Sequence, residues 1–167
     1  AGIGVLTRRD LEEINWAVLW MVAGGFALGV ALNETGLAAN LINAIPFNTW
    51  PVLAVLIGSG VICYTLSNFI SNTATAALLV PILAVVGKSM TAELAPIGGV
   101  ACLLIGIAVA ASVAMILPIS TPPNALAHGT GMIEQKYMAK SGLIMGIIGL
   151  VLGYVMLVLL GSIGFFG

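Results

Sequence analysis

Two clusters of small hydroxyl and amide side chains interrupt an otherwise apolar sequence. Residues 67–75 read Ser-Asn-Phe-Ile-Ser-Asn-Thr-Ala-Thr, and residues 120–124 read Ser-Thr-Pro-Pro-Asn. Neither cluster contains a charged residue, and both are flanked by apolar segments. Polar groups at such depth in a hydrophobic sequence are costly unless something binds there. We therefore interpret the clusters as two halves of one solute and ion site in a membrane transporter.

The chemistry expected of both clusters is that of a helix N-terminus. The Ser-Asn-Thr of residues 71–73 stands where a helix begins, so unpaired N–H groups of the first helical turn point toward this cluster. Thr121 followed by Pro122 repeats the pattern, with a hydroxyl cap and then proline at the first helical position. Two such ends near the bilayer midplane attract an anion such as a carboxylate, phosphate or sulfate without lysine or arginine. Freed carbonyls and Ser and Asn oxygens beside the breaks suit a hard cation such as Na⁺.

A purely structural interpretation is weaker for these clusters than for single residues. Serine and threonine in membrane helices often bond back to their own backbone, and proline kinks are common there. A Ser-Asn-Thr tip between two half-length apolar runs, followed by a Ser-Thr-Pro-Pro-Asn break, favours binding instead.

Composition places the chain in the membrane. Hydrophobic residues make up 60% of the 167 residues and charged residues 7%, where a soluble domain has about a quarter charged. Mean hydropathy is +1.18. The net charge of −1 offers no basic face, so we expect no nucleic-acid partner. The sequence predicts an integral membrane protein in contact with the lipid bilayer.

The first half of the chain contains one candidate span and two shorter apolar runs. Residues 15–32 are almost long enough to cross a bilayer of about 30 Å, and residues 37–45 have the spacing of a short interfacial helix. The runs at 51–66 and 74–87 are shorter, and the 14 residues of the second reach only about 21 Å. We expect them to form a re-entrant hairpin that turns at residues 71–73 and leaves on the face it entered.

The second half predicts a broken helix and a closing span. After an exposed loop at 88–93, residues 94–117 form an uncharged helix that would start along the interface before it descends. Prolines then interrupt it, and residues 124–133 resume it. Residues 141–166 are long enough to cross with some tilt. The predicted fold is an all-α membrane protein with a re-entrant helical hairpin and a broken transmembrane helix.

Three further features complete the expectations from residue types. Cys63 and Cys102 lie in apolar runs and are interpreted as buried thiols, not as a disulfide or metal site. His128, the only histidine, is interpreted as a neutral, hydrogen-bonded side chain near the cytoplasmic mouth rather than a proton relay. The positions of arginine and lysine predict a cytoplasmic N-terminus and an outside C-terminus, with Lys88 as the one exception.

The sequence around both clusters strongly resembles the divalent anion/sodium symporter family, whose members carry dicarboxylates, citrate or sulfate. The resemblance rests on the Ser-Asn-Thr-Ala-Thr-Ala-Ala of residues 71–77 with Pro81, and on the Thr-Pro-Pro-Asn-Ala of residues 121–125. Segments 24–28 and 34–37 also look like that family. The resemblance covers essentially the whole chain but only one half of the family's two inverted repeats, the carboxy-terminal one.

The resemblance implies a function and a set of site residues. The substrate, a small divalent anion, would be held by Asn72, Thr73, Thr121 and Pro122. The coupling ion, Na⁺, would lie among Ser67, Ile70, Ser71, Asn72 and Ser120, with no organic cofactor. Transport would proceed by an elevator motion in a homodimer within the bacterial inner (plasma) membrane.

The resemblance also implies a division of labour along the chain. Residues 50–133 would form the transport unit and residues 1–49 the scaffold side. Residues 134–167 would form a cytoplasmic loop and the last span, of which residues 141–167 would lie nearer the scaffold. The chain begins at Ala1, and we expect a fragment, a cleaved half or a half-size protein. It would then need the missing N-terminal repeat or an inverted partner chain.

Three other functions stay open at this point. A non-transporting helix module would scaffold a partner and tolerate changes at Asn72. A related carrier, arsenite-type or proton-coupled, would share the architecture, although the absence of membrane-embedded charges favours sodium. An intramembrane enzyme using Ser71 or Ser120 with His128 is disfavoured, because no Gly-x-Ser-x-Gly elbow or acid partner is present.

Overall fold

The computed structural model describes residues 44–166 continuously and scattered positions before them. Those positions are 12, 14, 16, 19–20, 23–24, 27, 30–31, 34–37 and 40. The predicted span at residues 15–32 and the interfacial helix at 37–45 lie mostly outside the described residues. So does most of the predicted unit 1–49.

Every regular element in the described part of the chain is helical, which confirms an all-α membrane protein. The α-helices, numbered in chain order, are α1 Val52–Phe69, α2 Asn72–Ser89, α3 Thr91–Leu94, α4 Gly99–Ser112, α5 Pro122–Gly129 and α6 Gln135–Ser162. Short 3-10 helices lie at Phe47–Thr49, Ala95–Ile97 and Pro118–Ser120. By length and composition, α1, α2 and α6 could each cross a membrane.

The break between α1 and α2 is shorter than the sequence predicted. Each helix has 18 residues, or about 27 Å, and only Ile70 and Ser71 between them are extended. The predicted bounds 51–66 and 74–87 are therefore wrong at the ends that face the tip. Because the shortness of these runs was the argument for a re-entrant hairpin, the re-entrant path stays a prediction.

Polar residues at the tip remain helical because nearby groups satisfy them. The Asn68 side-chain amide donates to the carbonyl four residues earlier at 2.8 Å, which keeps the end of α1 wound. Asn72 and Thr73 form the first turn of α2 and not the middle of a turn, since Ser71 caps this helix. The Ser71 hydroxyl accepts from the Ala74 N–H at 3.2 Å.

The predicted helix at 94–117 is also wrong in its bounds. The chain bends by 69° between the segment ending at residue 97 and α4. Gly98 makes this bend with a φ of 98°, a backbone conformation that favours glycine. α4 ends at Ser112, and α5 starts at Pro122, two residues before the predicted start, and ends at Gly129. Proline fits there because the first N–H groups of a helix have no partner within it.

The charged connections are more helical than expected. Lys88 and Ser89 end α2, and Thr91 begins α3, so the predicted loop at 88–93 is exposed but partly helical. α6 has 28 residues and begins six residues before the predicted span at 141–166, so it includes Lys136 and Lys140 in its first turns. The last span is therefore about 42 Å long.

α4 lies at the centre of the described residues, in contact with α1, α2 and α6. Its Leu103 side chain is fully buried. Glycines bring α6 close to the segments that flank α4, because a Cβ atom at Gly142 would collide with the Met115 carbonyl. A Cβ at Gly161 would likewise collide with the Ile97 carbonyl. Small residues at such contacts are typical of helices packed within membranes.

Candidate functional site

The N-terminus of α2 is the first half of the candidate site. Ser71 caps the helix, and its hydroxyl and carbonyl bond the N–H groups of Ala74 and Thr75 at 3.2 Å and 3.0 Å. The N–H groups of Asn72 and Thr73, the first two helical residues, have no partner within the helix. Their position at the positive end of the helix dipole suits an anion.

Two side-chain oxygens in this first turn are buried without a hydrogen-bond partner. They are Asn72 Oδ1 and Thr75 Oγ1. Residues three apart lie on the same face of a helix, so both oxygens belong to one side of α2. Thr73, between them in sequence, is exposed. Unpaired buried oxygens are costly, and a bound cation or donor would relieve that cost.

The remaining predicted cation ligands surround the break between α1 and α2. Ser67 is fully buried, and its Oγ lies 3.9 Å from Cys63 Sγ, a weak partner. Ile70 and Ser120 are also buried. The Ser120 hydroxyl donates to the Leu117 carbonyl at 2.7 Å, which leaves its oxygen free to accept or to ligate.

The second half of the site is the N-terminus of α5. Thr121 caps this helix, and its Oγ1 accepts from the Asn124 N–H at 3.4 Å. The first two helical residues are Pro122 and Pro123, which have no N–H. α5 therefore supplies its dipole and the Thr121 hydroxyl, whereas the free backbone donors of the site come from α2.

Two asparagines connect the halves through the unwound segment 113–117. The Asn68 side-chain oxygen accepts from the Ile116 N–H at 2.8 Å. The Asn124 side-chain amide donates to the Met115 carbonyl at 3.1 Å. α1 also contacts the 3-10 helix Pro118–Ser120. The structure thus brings the end of α1, with Ser67, to the break that carries Ser120.

Sequence reasoning placed Asn68, Thr75 and Asn124 within the polar clusters but gave them no role in the site. For the two asparagines, the available signal was chemical, because a buried amide needs partners for both its donor and its acceptor. For Thr75 the sequence carries no such signal, because threonine in a helix usually bonds back to the preceding turn. Only the structure shows that Thr75 makes no such bond.

The interpretations of the cysteines and of His128 can be compared with the structure directly. Cys63 and Cys102 are both free and buried, which confirms buried thiols. His128 Nδ1 lies 3.2 Å from the Ile133 carbonyl. Since a carbonyl only accepts, Nδ1 carries a proton and the ring closes the loop after α5. The described residues contain no cluster of three His, Cys, Asp or Glu side chains that could hold a metal ion.

Comparison with known proteins gives one family and several relatives. The family model described as the sodium:sulfate symporter transmembrane region matches residues 5–164. An uncharacterized transporter of Haemophilus influenzae is 37% identical over 148 residues, which cover 87% of this chain and 31% of the relative. The Na(+)/dicarboxylate cotransporter 3 of Rattus norvegicus is 34% identical over 151 residues, which cover 87% of this chain and 23% of the relative.

A third relative is bacterial and has a named substrate class. The sodium-dependent dicarboxylate transporter SdcS of Staphylococcus aureus is 35% identical over 156 residues, covering 90% of this chain and 29% of the relative. The chain thus spans less than a third of the length of each of these three relatives.

Proposed function

The chain belongs to the sodium:sulfate symporter family, and on that premise we propose that it is part of a transporter that carries a divalent anion together with Na⁺. It is an integral membrane protein of a transporter family and not an enzyme. The observation that carries the proposal is Asn72, whose buried Oδ1 has no partner at the capped start of α2. The names of the relatives favour a dicarboxylate over citrate or sulfate as the anion.

The anion would be bound mainly by the start of α2. The free N–H groups of Asn72 and Thr73 would donate to one carboxylate, assisted by the exposed Thr73 hydroxyl. Thr121 and Pro122 would line the other side, where α5 contributes its dipole. This arrangement supports an anion without a buried lysine or arginine, because the helix ends supply the positive potential.

Na⁺ is carried as cargo and would occupy the oxygens beside the break. The proposed ligands are oxygens of Ser67, Ile70, Ser71, Asn72 and Ser120. Asn72 supports this because its unpaired oxygen is of the type that hard cations prefer. One residue would then serve both solutes, its backbone N–H donating to the anion and its side-chain oxygen contacting the cation.

The transport cycle and the assembly are also part of the proposal. The chain would be the carboxy-terminal of two inverted repeats, with a re-entrant hairpin formed by α1 and α2, in an elevator transporter that works as a homodimer. Its site would be completed by the missing N-terminal repeat or an inverted partner chain. We propose residues 50–133 as the moving unit, and the close packing of α6 on α4 favours including α6 with it.

The proposed location is the bacterial inner (plasma) membrane, with the N-terminus cytoplasmic and the C-terminus outside. Lys136 and Lys140 at the start of α6 support this orientation, because lysine is favoured on the cytoplasmic side of a span. α6 would then run from the cytoplasm outward.

The test is Na⁺-driven uptake by the full-length protein that contains this chain. Reconstituted in liposomes, it is expected to accumulate radiolabelled succinate, citrate or sulfate under an inward Na⁺ gradient and not under an equal K⁺ gradient. Asn72→Ala should abolish uptake without lowering expression. Thr65→Val is the matched control, because the Thr65 hydroxyl bonds the Val61 carbonyl at 2.8 Å on the outer face of α1. Uptake that ignores Na⁺, or that survives Asn72→Ala, would overturn the proposal.

A further inference from the structure

Thr75 differs from Ser59, Thr65 and Ser112 in how its hydroxyl oxygen is satisfied. Thr65 and Ser112 donate to the carbonyls four residues earlier at 2.8 Å and 2.7 Å, as is usual in membrane helices. Ser59 donates to the carbonyl three residues earlier at 3.1 Å. Thr75 is fully buried, and its Oγ1 has no partner. The buried hydroxyls of Tyr64 and Tyr154 are unpaired as well, but among the described residues only Thr75 shares a helix face with a second unpaired oxygen, that of Asn72. This pairing points to something that binds there.

The packing of α2 on α4 locates Thr75. Near the end of α2, Gly87 lies against Val100 in the first turn of α4, since an added Cβ would stand 3.0 Å from its methyl group. Just before the start of α2, Asn68 of α1 bonds Ile116, beyond the end of α4. The two helices therefore run in opposite directions. Thr75, twelve residues before Gly87 and about 18 Å along the helix, lies level with the last turn of α4.

The last turn of α4 contains a carbonyl that lacks its usual helical donor. The N–H of Ala114 bonds the Ala111 carbonyl at 3.3 Å instead of the carbonyl four residues earlier. Ala110 thereby loses its usual helical donor. This is also the negative end of the α4 dipole, which favours a cation. Asn72 Oδ1 and Thr75 Oγ1 add two unpaired oxygens, on one side of α2, near the level of the last turn of α4.

Another repeat or subunit of the transporter is poorly placed to bond the Thr75 hydroxyl. Its side chain is 0% exposed within the described residues, so another repeat or subunit could reach it only by displacing the helices around it. The smallest groups that could satisfy Oγ1 are a water molecule and a bare cation. Between these two, the surrounding set of oxygen acceptors favours the cation.

We propose that Thr75 Oγ1 is a further ligand of the coupling cation, beside Asn72 Oδ1 and level with the end of α4. This inference rests on the proposed function, since it assumes that the protein carries Na⁺. The hydroxyl oxygen would contact the ion, and its proton would point to a freed carbonyl of α4. Thr75 would then determine affinity for Na⁺ without contacting the anion.

The test measures the response of the full-length protein to Na⁺ in two ways. The first is the shift of its thermal midpoint in NaCl relative to equimolar choline chloride, and the second is the Na⁺ concentration that half-saturates anion uptake. Thr75→Val keeps the shape but removes the hydroxyl, and should raise the half-saturating Na⁺ concentration about tenfold or more. It should also reduce the thermal shift. Thr75→Ser should retain both responses, and Thr75→Ala should behave as Thr75→Val does.

The outcomes separate this inference from the proposed function. Thr65→Val is the control and should respond to Na⁺ as the unmodified protein does. If the unmodified protein shows no Na⁺ dependence, the proposed function itself fails. If it depends on Na⁺ and Thr75→Val or Thr75→Ala responds equally well, the hydroxyl contacts water or nothing, and this inference alone is overturned. In that case removal of the unpaired hydroxyl should only make the protein more stable.

Discussion

The side-chain oxygen of Asn68 accepts a hydrogen bond of 2.8 Å from the backbone N–H of Ile116. Asn68 is in the last turn of α1, and Ile116 is in the unwound segment after α4, so the bond joins the two interrupted parts of the structure. The same side chain donates to the Tyr64 carbonyl at 2.8 Å. Both its donor and its acceptor are thus used, and Asn68 holds the segment before Ser120 in place.

Asn68→Leu should therefore destabilise the segment before Ser120, although Asn68 is not itself a proposed ligand. The substitution leaves the part-buried Ile116 N–H without its partner, which costs about 1–3 kcal/mol. The free energy of unfolding, measured by denaturant titration of the full-length protein in detergent, should fall by that amount, and Na⁺ affinity should fall with it. The control is Thr65→Val, one turn away on the exposed face of α1. A variant as stable as the unmodified protein would show that the bond does not hold the segment.

Ser71 should stabilise the folded protein by capping the N-terminus of α2. Ser71→Ala removes the oxygen that accepts from the Ala74 N–H, and loss of such a cap typically costs about 1 kcal/mol. Ser71→Thr retains the oxygen and should retain most of the stability. The measurement is again denaturant titration, compared among the three proteins. Equal stability of the alanine and threonine variants would contradict the assignment of the cap.

The thiols of Cys63 and Cys102 should be unreactive in the folded protein. Both side chains are 0% exposed, and a maleimide needs access to the sulfur. In a full-length protein whose other cysteines have been replaced, labelling should begin only after denaturation in SDS. Ser89→Cys, at the exposed end of α2, is the positive control and should label at once. Rapid labelling of Cys63 in the folded state would mean that α1 and α4 separate readily.

Composition and short-range chemistry account for what the sequence predicted well. The apolar runs identify a helical membrane protein because lipid leaves backbone groups no other partners. Caps at Ser71 and Thr121 follow from residue type, since a side-chain oxygen can reach the N–H three residues on. The positions of both interruptions were therefore predictable to within a few residues.

The parts that were predicted wrongly depend on contacts that are distant in sequence. Asn68, in the last turn of α1, bonds Ile116 48 residues away, and no local pattern indicates this contact. The sequence did not mark Gly98 as the position of the bend, because glycine is also common where membrane helices pack. The lack of a partner at Thr75 likewise depends on how α2 packs and not on its sequence.

Gly60 and Tyr154 offer the sharpest test of helix packing. A Cβ atom at Gly60 would collide with the Tyr154 hydroxyl, which also lies 3.0 Å from the Cβ position of Gly106. The Tyr154 ring of α6 thus fills a notch between α1 and α4, and its hydroxyl is buried without a partner. Gly60→Ala should lower the free energy of unfolding by about 1–3 kcal/mol through overpacking.

Substitution of Tyr154 shows whether contact with its ring causes the loss of stability expected of Gly60→Ala. Tyr154→Phe alone should leave stability unchanged or raise it, because it removes an unpaired buried hydroxyl while keeping the ring. Combined with Gly60→Ala, it should recover part of the loss, since the clashing oxygen is gone. A coupling of about 0.5–3 kcal/mol between the two sites is expected for side chains in contact. Additive effects in the double variant would show that the Tyr154 ring does not occupy the notch at Gly60.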